Sequence, residues 1–293
     1  MRLFSLFSLS SLLLFHLVGC GQSIRPHRPE IANATTWSPN ILEKRWDAFL
    51  KKHVNSEGLV DYETFHNNPD ELIGIYAELA KFSPDSHPER FTSEEERFAY
   101  WLNAYNIAVV RGVCEHYPIA SVLEVKPPSP FSLIEKGGFF VGQRFIIGSE
   151  NVHLYRLENG IIRKRFPDPR LHFALNCASG GCPPLSRESF QATRLEEQLE
   201  RQTRKFINSS QAYQIDKRNK QILLSRIFDW YSKDFTQHLP TRENTEATVF
   251  DYIENYLEPH RLTAFQKARK QGYDEDWLDY DWSLNDSRPV TSP

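Results

Sequence analysis

The residues of this chain whose side chains are best suited to chemistry lie between positions 170 and 185. His172 is followed by Cys177 and Cys182, and Gly180 and Gly181 stand between the two thiols. Glycine permits unusual backbone dihedrals and close approach of other groups, which a buried core loop would not require. Because functional groups are often carried by loops that follow regular elements, we predict that a strand at residues 171–175 presents His172 and runs into a functional loop.

The two cysteines admit several chemical roles, which the sequence leaves open. A disulfide between Cys177 and Cys182 is sterically possible across a four-residue gap and is favoured outside the cytoplasm. Alternatively, a thiolate at either position acts as a nucleophile beside the His172 imidazole, with loop amides of residues 178–181 as an oxyanion hole. Zinc ligation together with His153 or His172 is a third role, and plain burial a fourth.

Four further polar residues accompany this loop. Glu158 and Arg163 precede it in the chain, where Glu158 would orient a catalytic histidine or both would join a surface ion-pair network. Asn103 and Asn106 fall close to the apolar stripe of a predicted helix, so their amides must find partners in the backbone or in a ligand. We assign no metal ion and no cofactor, because zinc sites usually show tighter ligand pairs than this one.

The first forty residues predict a location. An apolar run at 3–18 has the length of a signal-peptide core, and it ends in Gly19 and Cys20 in the manner of a bacterial lipobox. We therefore predict a lipoprotein signal peptide at 1–20 and a lipid anchor at Cys20, with an ordinary cleavable signal as the alternative. Residues 21–40 suit a flexible tether. No Asp follows Cys20, which favours the outer membrane of the bacterial cell envelope, facing the periplasm.

The remaining chain must fold to position the loop, and its patterns predict a single domain at 41–285 with a C-terminal tail at 286–293. Helical periodicity appears at 41–50 and after Pro69, and a capping box at residues 92–96 begins a long helix that ends near Tyr117 and carries Cys114 as a core residue. A further helix is capped by Thr193. Hairpins are predicted at 137–154, around a Gly-Gln turn, and at 213–224. The fold class is therefore α+β, mainly helical, with a small antiparallel sheet.

Composition excludes some functions. The 293 residues include 35 Lys and Arg against 38 Asp and Glu, so there is no basic excess to neutralise nucleic-acid phosphates. A chain in which 40% of the residues are hydrophobic and 25% are charged is not disordered, and at this length it can build a core without disulfides. Nucleic acid is not expected as a partner.

Six separated motifs resemble the domain of unknown function 547 family, which occurs in bacterial secreted and lipid-anchored proteins and whose activity is unassigned. They lie at residues 53–62, 101–106, 157–163, 172–185, 230–235 and 280–285. The resemblance singles out as signature positions Asn103, Asn106, Glu158, Arg163, His172, Cys177, Cys182 and Asp281. Relatives commonly have Glu-His-Gly where this chain has Glu158, Asn159 and Gly160. The histidine of that motif is therefore missing here, and His172 is the remaining candidate for a catalytic imidazole.

Two functions follow as expectations. The first is a lipid-anchored envelope protein that performs thiol-dependent hydrolysis or acyl transfer with Cys177, His172 and Glu158, in a papain- or transglutaminase-like arrangement. The second is a non-catalytic envelope module whose loop is fixed by a Cys177–Cys182 disulfide and whose partner is a small molecule or an envelope protein. In both, the membrane is contacted through the lipid on Cys20.

Overall fold

The computed structural model describes residues 22–24, 38–127, 137–237, 239 and 246–288. The predicted signal peptide, the predicted lipidation site Cys20 and residues 289–293 of the predicted tail lie outside the described residues. Within the predicted tether, Gln22–Ile24 forms strand β1, and the first helix begins at Pro39. In the described part of the chain, no helix combines the length and the apolar character needed to cross a membrane.

The first half of the chain is helical and is organised around one long helix. The elements are α1 (Pro39–His53), α2 (Tyr62–Asn67), α3 (Asp70–Lys81) and α4 (Glu94–His116). Helix α4 begins with the predicted capping box, in which the Ser93 hydroxyl accepts from the Glu96 amide and the Glu96 carboxylate accepts from the Ser93 amide. From position 98 to 114 every side chain of α4 is buried, including Cys114, so the other helices pack around it.

The first sheet contains β1, β2 (Gln143–Ile147) and β3 (Glu150–Val152). Strands β2 and β3 form an antiparallel hairpin, and β1 pairs parallel with β2. The predicted Gly-Gln turn at 142–143 was wrong, because residues Gly138–Gly142 form a π-helix and the chain reverses at Gly148 and Ser149. Both of those residues have positive φ, at 56° and 71°, as a tight hairpin turn requires.

The second sheet follows the same plan. Strands β4 (Tyr213–Asp216) and β5 (Gln221–Leu224) form the predicted antiparallel hairpin, and β6 (Asp274–Trp277) adds a parallel strand to β5. The fold is therefore α+β and mainly helical, as predicted. Its sheet component consists of two small sheets, each an antiparallel pair extended by one parallel strand.

The second half of the chain contains two helices of 12 or 13 residues, α8 and α12, and several shorter ones. They are α5 (Leu154–Arg156), α6 (Arg163–Arg165), α7 (Leu171–Ala174), α8 (Leu195–Ile207), α9 (Arg226–Trp230), α10 (Ser232–Thr236), α11 (Val249–Glu254) and α12 (Pro259–Lys270). A π-helix at Leu157–Ile162 joins α5 to α6. The prediction that Thr193 caps α8 was wrong, because a 3₁₀ turn at Ala192–Arg194 leads into the helix without a side-chain cap.

Helix α7 corrects the prediction of a strand at 171–175. Its four residues are all buried, and a short apolar run of this kind does not distinguish a strand from a helix by periodicity. Leu171 and Ala174 belong to the hydrophobic core around α4, whereas Phe173 belongs to a second core built by the C-terminal elements. The helix therefore connects the two cores and places His172 between them.

The C-terminal segment ties these parts together through backbone hydrogen bonds. The amide of Leu284 donates to Ala120 O at 2.8 Å, and the amide of Val60 donates to Asn285 O at 2.9 Å. The amide of Gly180 donates to Ser283 O at 2.7 Å, which anchors the cysteine loop to the same segment. Residues close to the end of the chain thus fix a loop that lies about a hundred positions earlier.

Candidate functional site

A cavity of about 580 Å³ opens where α7, the cysteine loop and the C-terminal segment meet. This volume falls within the range typical of small-molecule sites. Its lining combines aromatic rings with charged groups and with both loop cysteines. The lining residues are Tyr105, Gly137, Phe140, Val141, Tyr155, Glu158, Asn159, Arg163, His172, Leu175, Cys177, Cys182, Pro183, Ile227, Trp230, Tyr231, Tyr280 and Trp282.

Cys177 and Cys182 are joined by a disulfide on the cavity wall, with their Cα atoms 6.1 Å apart. Cys177 is half-buried and Cys182 is buried. The Ser179 hydroxyl lies 3.0 Å and the Tyr280 hydroxyl 3.2 Å from the Cys177 sulfur, and Tyr280 also donates to the Cys182 sulfur at 3.3 Å. Of the roles that the sequence leaves open, the structure contains the disulfide.

Asn106 and Asn176 hold the chain that leads into this disulfide. The Asn106 side chain donates to Ala174 O at 3.0 Å and accepts from the Asn176 amide at 2.9 Å, so it satisfies the backbone on both sides of position 175. The Asn176 side chain then donates to Pro183 O at 2.9 Å, across the base of the loop. Asn106 is therefore a backbone clamp, in agreement with the structural role that the sequence allowed.

Asp281 fixes the glycines of the loop. Its carbonyl oxygen accepts from the Gly181 amide at 2.8 Å, and its carboxylate accepts from the Ser283 amide at 2.9 Å. A Cβ atom on Gly180 would collide with the Asp281 carboxylate, so the glycine is required by close approach. Asp281 thus acts on the loop through packing and hydrogen bonds, and it does not line the cavity.

Three of the four amides that were predicted to form an oxyanion hole are paired with protein acceptors in the described loop. The amide of Ala178 donates to the Asn176 side chain at 2.9 Å, and those of Gly180 and Gly181 donate to carbonyl oxygens of the C-terminal segment. Amides that are already paired with protein acceptors do not stabilise a developing oxyanion. That prediction was wrong for these three amides, because the loop is bound to the C-terminal segment rather than open to the cavity.

His172 is held by Asp234 and not by Glu158. Its Nε2 lies 2.8 Å from Oδ2 of Asp234, and its ring stacks on Tyr231 with the centroids 3.9 Å apart. The side chain is only 2% exposed. Burial lowers the pKa of His172 despite the neighbouring Asp234 carboxylate, so the imidazole is neutral at pH 7.

Arg163 completes this network by binding the same oxygen of Asp234 as His172. Its Nε donates to Oδ2 of Asp234 at 2.8 Å, and its guanidinium lies 4.8 Å from the centre of the Tyr231 ring. Burial alone would raise the pKa of Asp234, but hydrogen bonds from His172 and Arg163, together with the positive charge of Arg163, outweigh it and hold that pKa well below its usual range. Asp234 is therefore ionised, and it neutralises Arg163.

Glu158 contacts tyrosines. The Tyr231 hydroxyl donates to one of its carboxylate oxygens at 2.6 Å, and the Tyr105 hydroxyl donates to the other at 3.3 Å. Burial raises the pKa of both phenols, and the charge of Glu158 raises it further, so both remain protonated donors. The prediction that Glu158 orients a histidine is not what the contacts show, since Asp234 has that position.

The π-helix explains why Glu158, Asn159 and Arg163 all reach the cavity. Its wider turn gives an i to i+5 hydrogen bond from the Arg163 amide to Glu158 O, which brings positions 158 and 163 onto one side. The Asn159 side chain also contacts the Arg163 guanidinium. Single π-helical turns are often found at functional sites, and here the positions of three lining residues depend on one.

Aromatic rings form the wall opposite these polar groups. The rings of Trp230 and Tyr280 have centroids 4.8 Å apart, and those of Tyr280 and Trp282 are 4.6 Å apart. Trp230 is 42% exposed and Tyr155 is 58% exposed, which is unusual for such large apolar side chains. The wall therefore combines a packed aromatic base with rings that reach solvent.

Like Asn106 and Asp281, the predicted site residues Asn103 and His153 do not line the cavity. Asn103 donates to Phe190 O at 2.8 Å and accepts from the Phe190 amide at 2.9 Å, which makes it a second backbone clamp on another side of α4. His153 caps α5, with its ring nitrogen accepting from the Arg156 amide at 3.1 Å. Among the residues described by the structure, no group of three or more His, Cys, Asp and Glu side chains is placed to hold a metal ion.

Sequence reasoning missed several residues of the site. Asp234 and Tyr231 belong to the motif at 230–235, and Tyr280 and Trp282 to the motif at 280–285, but no individual role was assigned to them. The available signal was the density of aromatic residues around a single acidic residue in each motif.

The described residues form an α+β domain with an aromatic cavity that has the disulfide loop in its wall. Comparison with known proteins finds a family match for part of the chain. Residues 88–207 match the model of the family described as "Protein of unknown function, DUF547", so this segment belongs to that family. It includes α4, Glu158, Arg163, His172 and both loop cysteines, whereas Asp234 and Tyr280 follow it. No curated protein and no solved structure matches the chain.

Proposed function

We propose that this protein is a lipid-anchored module of the bacterial cell envelope that binds a small molecule in its aromatic cavity. The observation that carries the proposal is the Cys177–Cys182 disulfide on the wall of a cavity of about 580 Å³. Two sulfurs bonded to each other offer no thiolate, so in this form the loop acts as a fixed wall. The aromatic lining with a few charged groups is typical of ligand sites.

The rigidity of the loop supports a binding role. The amides of Gly180 and Gly181 are paired with the C-terminal segment, and the base of the loop is clamped by Asn106 and Asn176. A wall held in one conformation loses little entropy when a ligand binds, which favours affinity. The lipid anchor is proposed from the sequence around Cys20, and labelling with a fatty-acid analogue, compared between the wild type and Cys20→Ser, tests it.

Blocking the cavity tests the binding proposal. We expect at least one member of a panel of cationic, anionic and neutral small molecules to raise the Tm of the full-length protein by a few degrees. Val141→Trp, which adds bulk at the cavity lining, should abolish that shift, whereas Lys217→Trp on the exposed β4–β5 turn should preserve it. A panel without effect on the wild type, or equal shifts in both variants, would contradict the proposal.

A second function is favoured by one specific observation, the two hydroxyls of Ser179 and Tyr280 within 3.2 Å of the Cys177 sulfur. After reduction of the disulfide by an external dithiol, these donors would stabilise a Cys177 thiolate, as thiol-dependent hydrolysis or acyl transfer requires. Mass measurement of the non-reduced protein distinguishes the two functions. A two-hydrogen deficit supports the binding module, whereas one rapidly alkylated thiol, lost in Cys177→Ser and kept in Cys182→Ser, supports the enzyme.

A further inference from the structure

We propose that the ligand of this cavity is an organic ammonium ion, with Glu158 as its counter-ion and the surrounding aromatic rings as its cage. The inference rests on the proposed function, because it names the chemical class of molecule that the cavity binds. It follows from the charges of the described residues in the cavity lining and of Asp234 directly behind them, and from the position of the rings.

The charge balance leaves one carboxylate without a cation. Three ionised groups meet at the polar side of the cavity, namely Glu158, Arg163 and Asp234, while His172 is buried and neutral. Arg163 is paired with Asp234 at 2.8 Å. The Glu158 carboxylate instead accepts hydrogen bonds from the hydroxyls of Tyr105 and Tyr231, which carry no charge. Among the described residues, the charges of Glu158, Arg163 and Asp234 therefore sum to minus one.

The field of Glu158 extends across the cavity. Its negative charge contributes, after burial, to raising the pKa of Tyr105, Tyr231 and Tyr280, three phenols that line different parts of the wall. A cation placed among these rings would lie in the same field. The hydroxyls of Tyr105 and Tyr231 donate to Glu158, whereas that of Tyr280 contacts the two sulfurs of the loop.

The rings provide the second half of a cation site. A cation over an aromatic face is attracted by the ring quadrupole, most strongly by Trp, and aromatic cages of this kind recognise quaternary and substituted ammonium groups. Trp230, Tyr280 and Trp282 lie within 6.1 Å of one another and line the cavity. The protein already uses the same interaction internally, since the Arg163 guanidinium lies 4.8 Å from the Tyr231 ring centre.

Other ligand classes fit these observations less well. An anion would face the Glu158 carboxylate, and the guanidinium of Arg163, the one Arg among the described lining residues, is already paired with Asp234. A neutral molecule would contact the rings and leave the carboxylate charge unbalanced in a half-buried site. An ammonium ion satisfies both features of the cavity at once.

Two pairs of cations and neutral analogues test the proposal on the full-length chain in a nonionic detergent. The pairs are choline with 3,3-dimethyl-1-butanol and benzylammonium with benzyl alcohol, and binding is followed by calorimetry and by tryptophan fluorescence. We expect at least one cation to bind about tenfold more tightly than its neutral analogue, which corresponds to about 1.4 kcal/mol. Glu158→Gln should remove that preference, whereas Glu57→Gln, on an exposed loop, should retain it.

The outcomes separate this inference from the proposed function. Equal affinity within both pairs, or tighter binding of the neutral analogues, would overturn the ammonium proposal and leave the binding function intact. If none of the four compounds binds, the ammonium proposal is also overturned. The small-molecule panel with the Val141→Trp variant then tests the binding function separately. If Glu158→Gln does not fold, the wild type is measured at increasing salt concentration instead. The proposal then requires that affinity for the cation falls as salt rises, while affinity for the neutral analogue does not.

Discussion

Nε2 of His172 lies 2.8 Å from Oδ2 of Asp234, and the same oxygen accepts from Nε of Arg163 at 2.8 Å. One carboxylate oxygen therefore joins three short helices, α7, α6 and α10. The arrangement keeps the imidazole neutral and the carboxylate ionised, so it is an orienting network at the rim of the cavity rather than a free acid–base pair.

Asp234→Asn should destabilise the protein by about 2 to 3 kcal/mol, because it leaves a half-buried Arg163 without its counter-ion. Urea denaturation at pH 7 measures the change in the free energy of unfolding. Asp229→Asn is the matched control, since Asp229 is exposed and its contact with Arg226 is long, at 3.3 Å. We expect less than about 0.5 kcal/mol there. Equal effects of the two substitutions would show that the buried network contributes nothing.

The two asparagine clamps should differ in their effect on the disulfide. Asn103→Ala and Asn106→Ala each leave a buried amide and a buried carbonyl without a partner, so each should cost about 2 to 4 kcal/mol. Only Asn106 binds the chain beside Cys177, so only Asn106→Ala should accelerate reduction of the disulfide by a dithiol. Alkylation of the released thiols over time measures that rate. Similar reduction rates in both variants would contradict the inference that Asn106 holds the disulfide loop in place.

The sequence predicted the parts of this fold that depend on local chemistry. The capping box at Ser93 and Glu96 marked the start of α4, and the asparagines of that helix required partners because their neighbours along the stripe are apolar. The hairpin at β4 and β5 followed from β-rich runs around a polar turn. In each case the information lies within a few residues.

What the sequence did not predict depends on distant partners. Residues 171–175 are apolar whichever element they form, and packing between two cores, not periodicity, makes them helical. The partner of His172 is 62 positions away at Asp234, and Tyr280 meets the Cys177 sulfur across 103 positions. A nearer acidic residue, Glu158, was therefore assigned the position that Asp234 occupies.

Reduction of the disulfide should lower the free energy of unfolding by about 2 kcal/mol at most, because the closed loop is short and the chain-entropy gain grows with loop length. Hydrogen bonds of Asn176 and Asp281 hold the same loop and should limit the loss. Urea denaturation with and without a phosphine reductant measures it, and the Cys177→Ser, Cys182→Ser double variant should show no further response to the reductant. A loss of more than about 5 kcal/mol would mean that the disulfide, and not the clamps, maintains the loop.

His153 should make the protein less stable in mild acid. Its ring nitrogen accepts from the Arg156 amide at 3.1 Å, and burial together with Arg144 and Arg156 lowers its pKa to about 4. Between pH 6.5 and 4 the unfolded chain protonates this imidazole while the folded chain does not, so the free energy of unfolding falls as the pH decreases. Above pH 6.5 both states are neutral and the effect vanishes.

His153→Asn separates this titration from the cap, because an Asn side chain also accepts from a helix N-terminus. Urea denaturation from pH 8 to pH 4.5 should give a shallower slope in the variant below pH 6.5, by at most about 1.4 kcal/mol per pH unit. Three other histidines with lowered pKa, His53, His116 and His172, keep part of the slope. Because the two curves should run parallel above pH 7, the alkaline range is an internal control. Parallel curves over the whole range would mean that His153 titrates equally in both states.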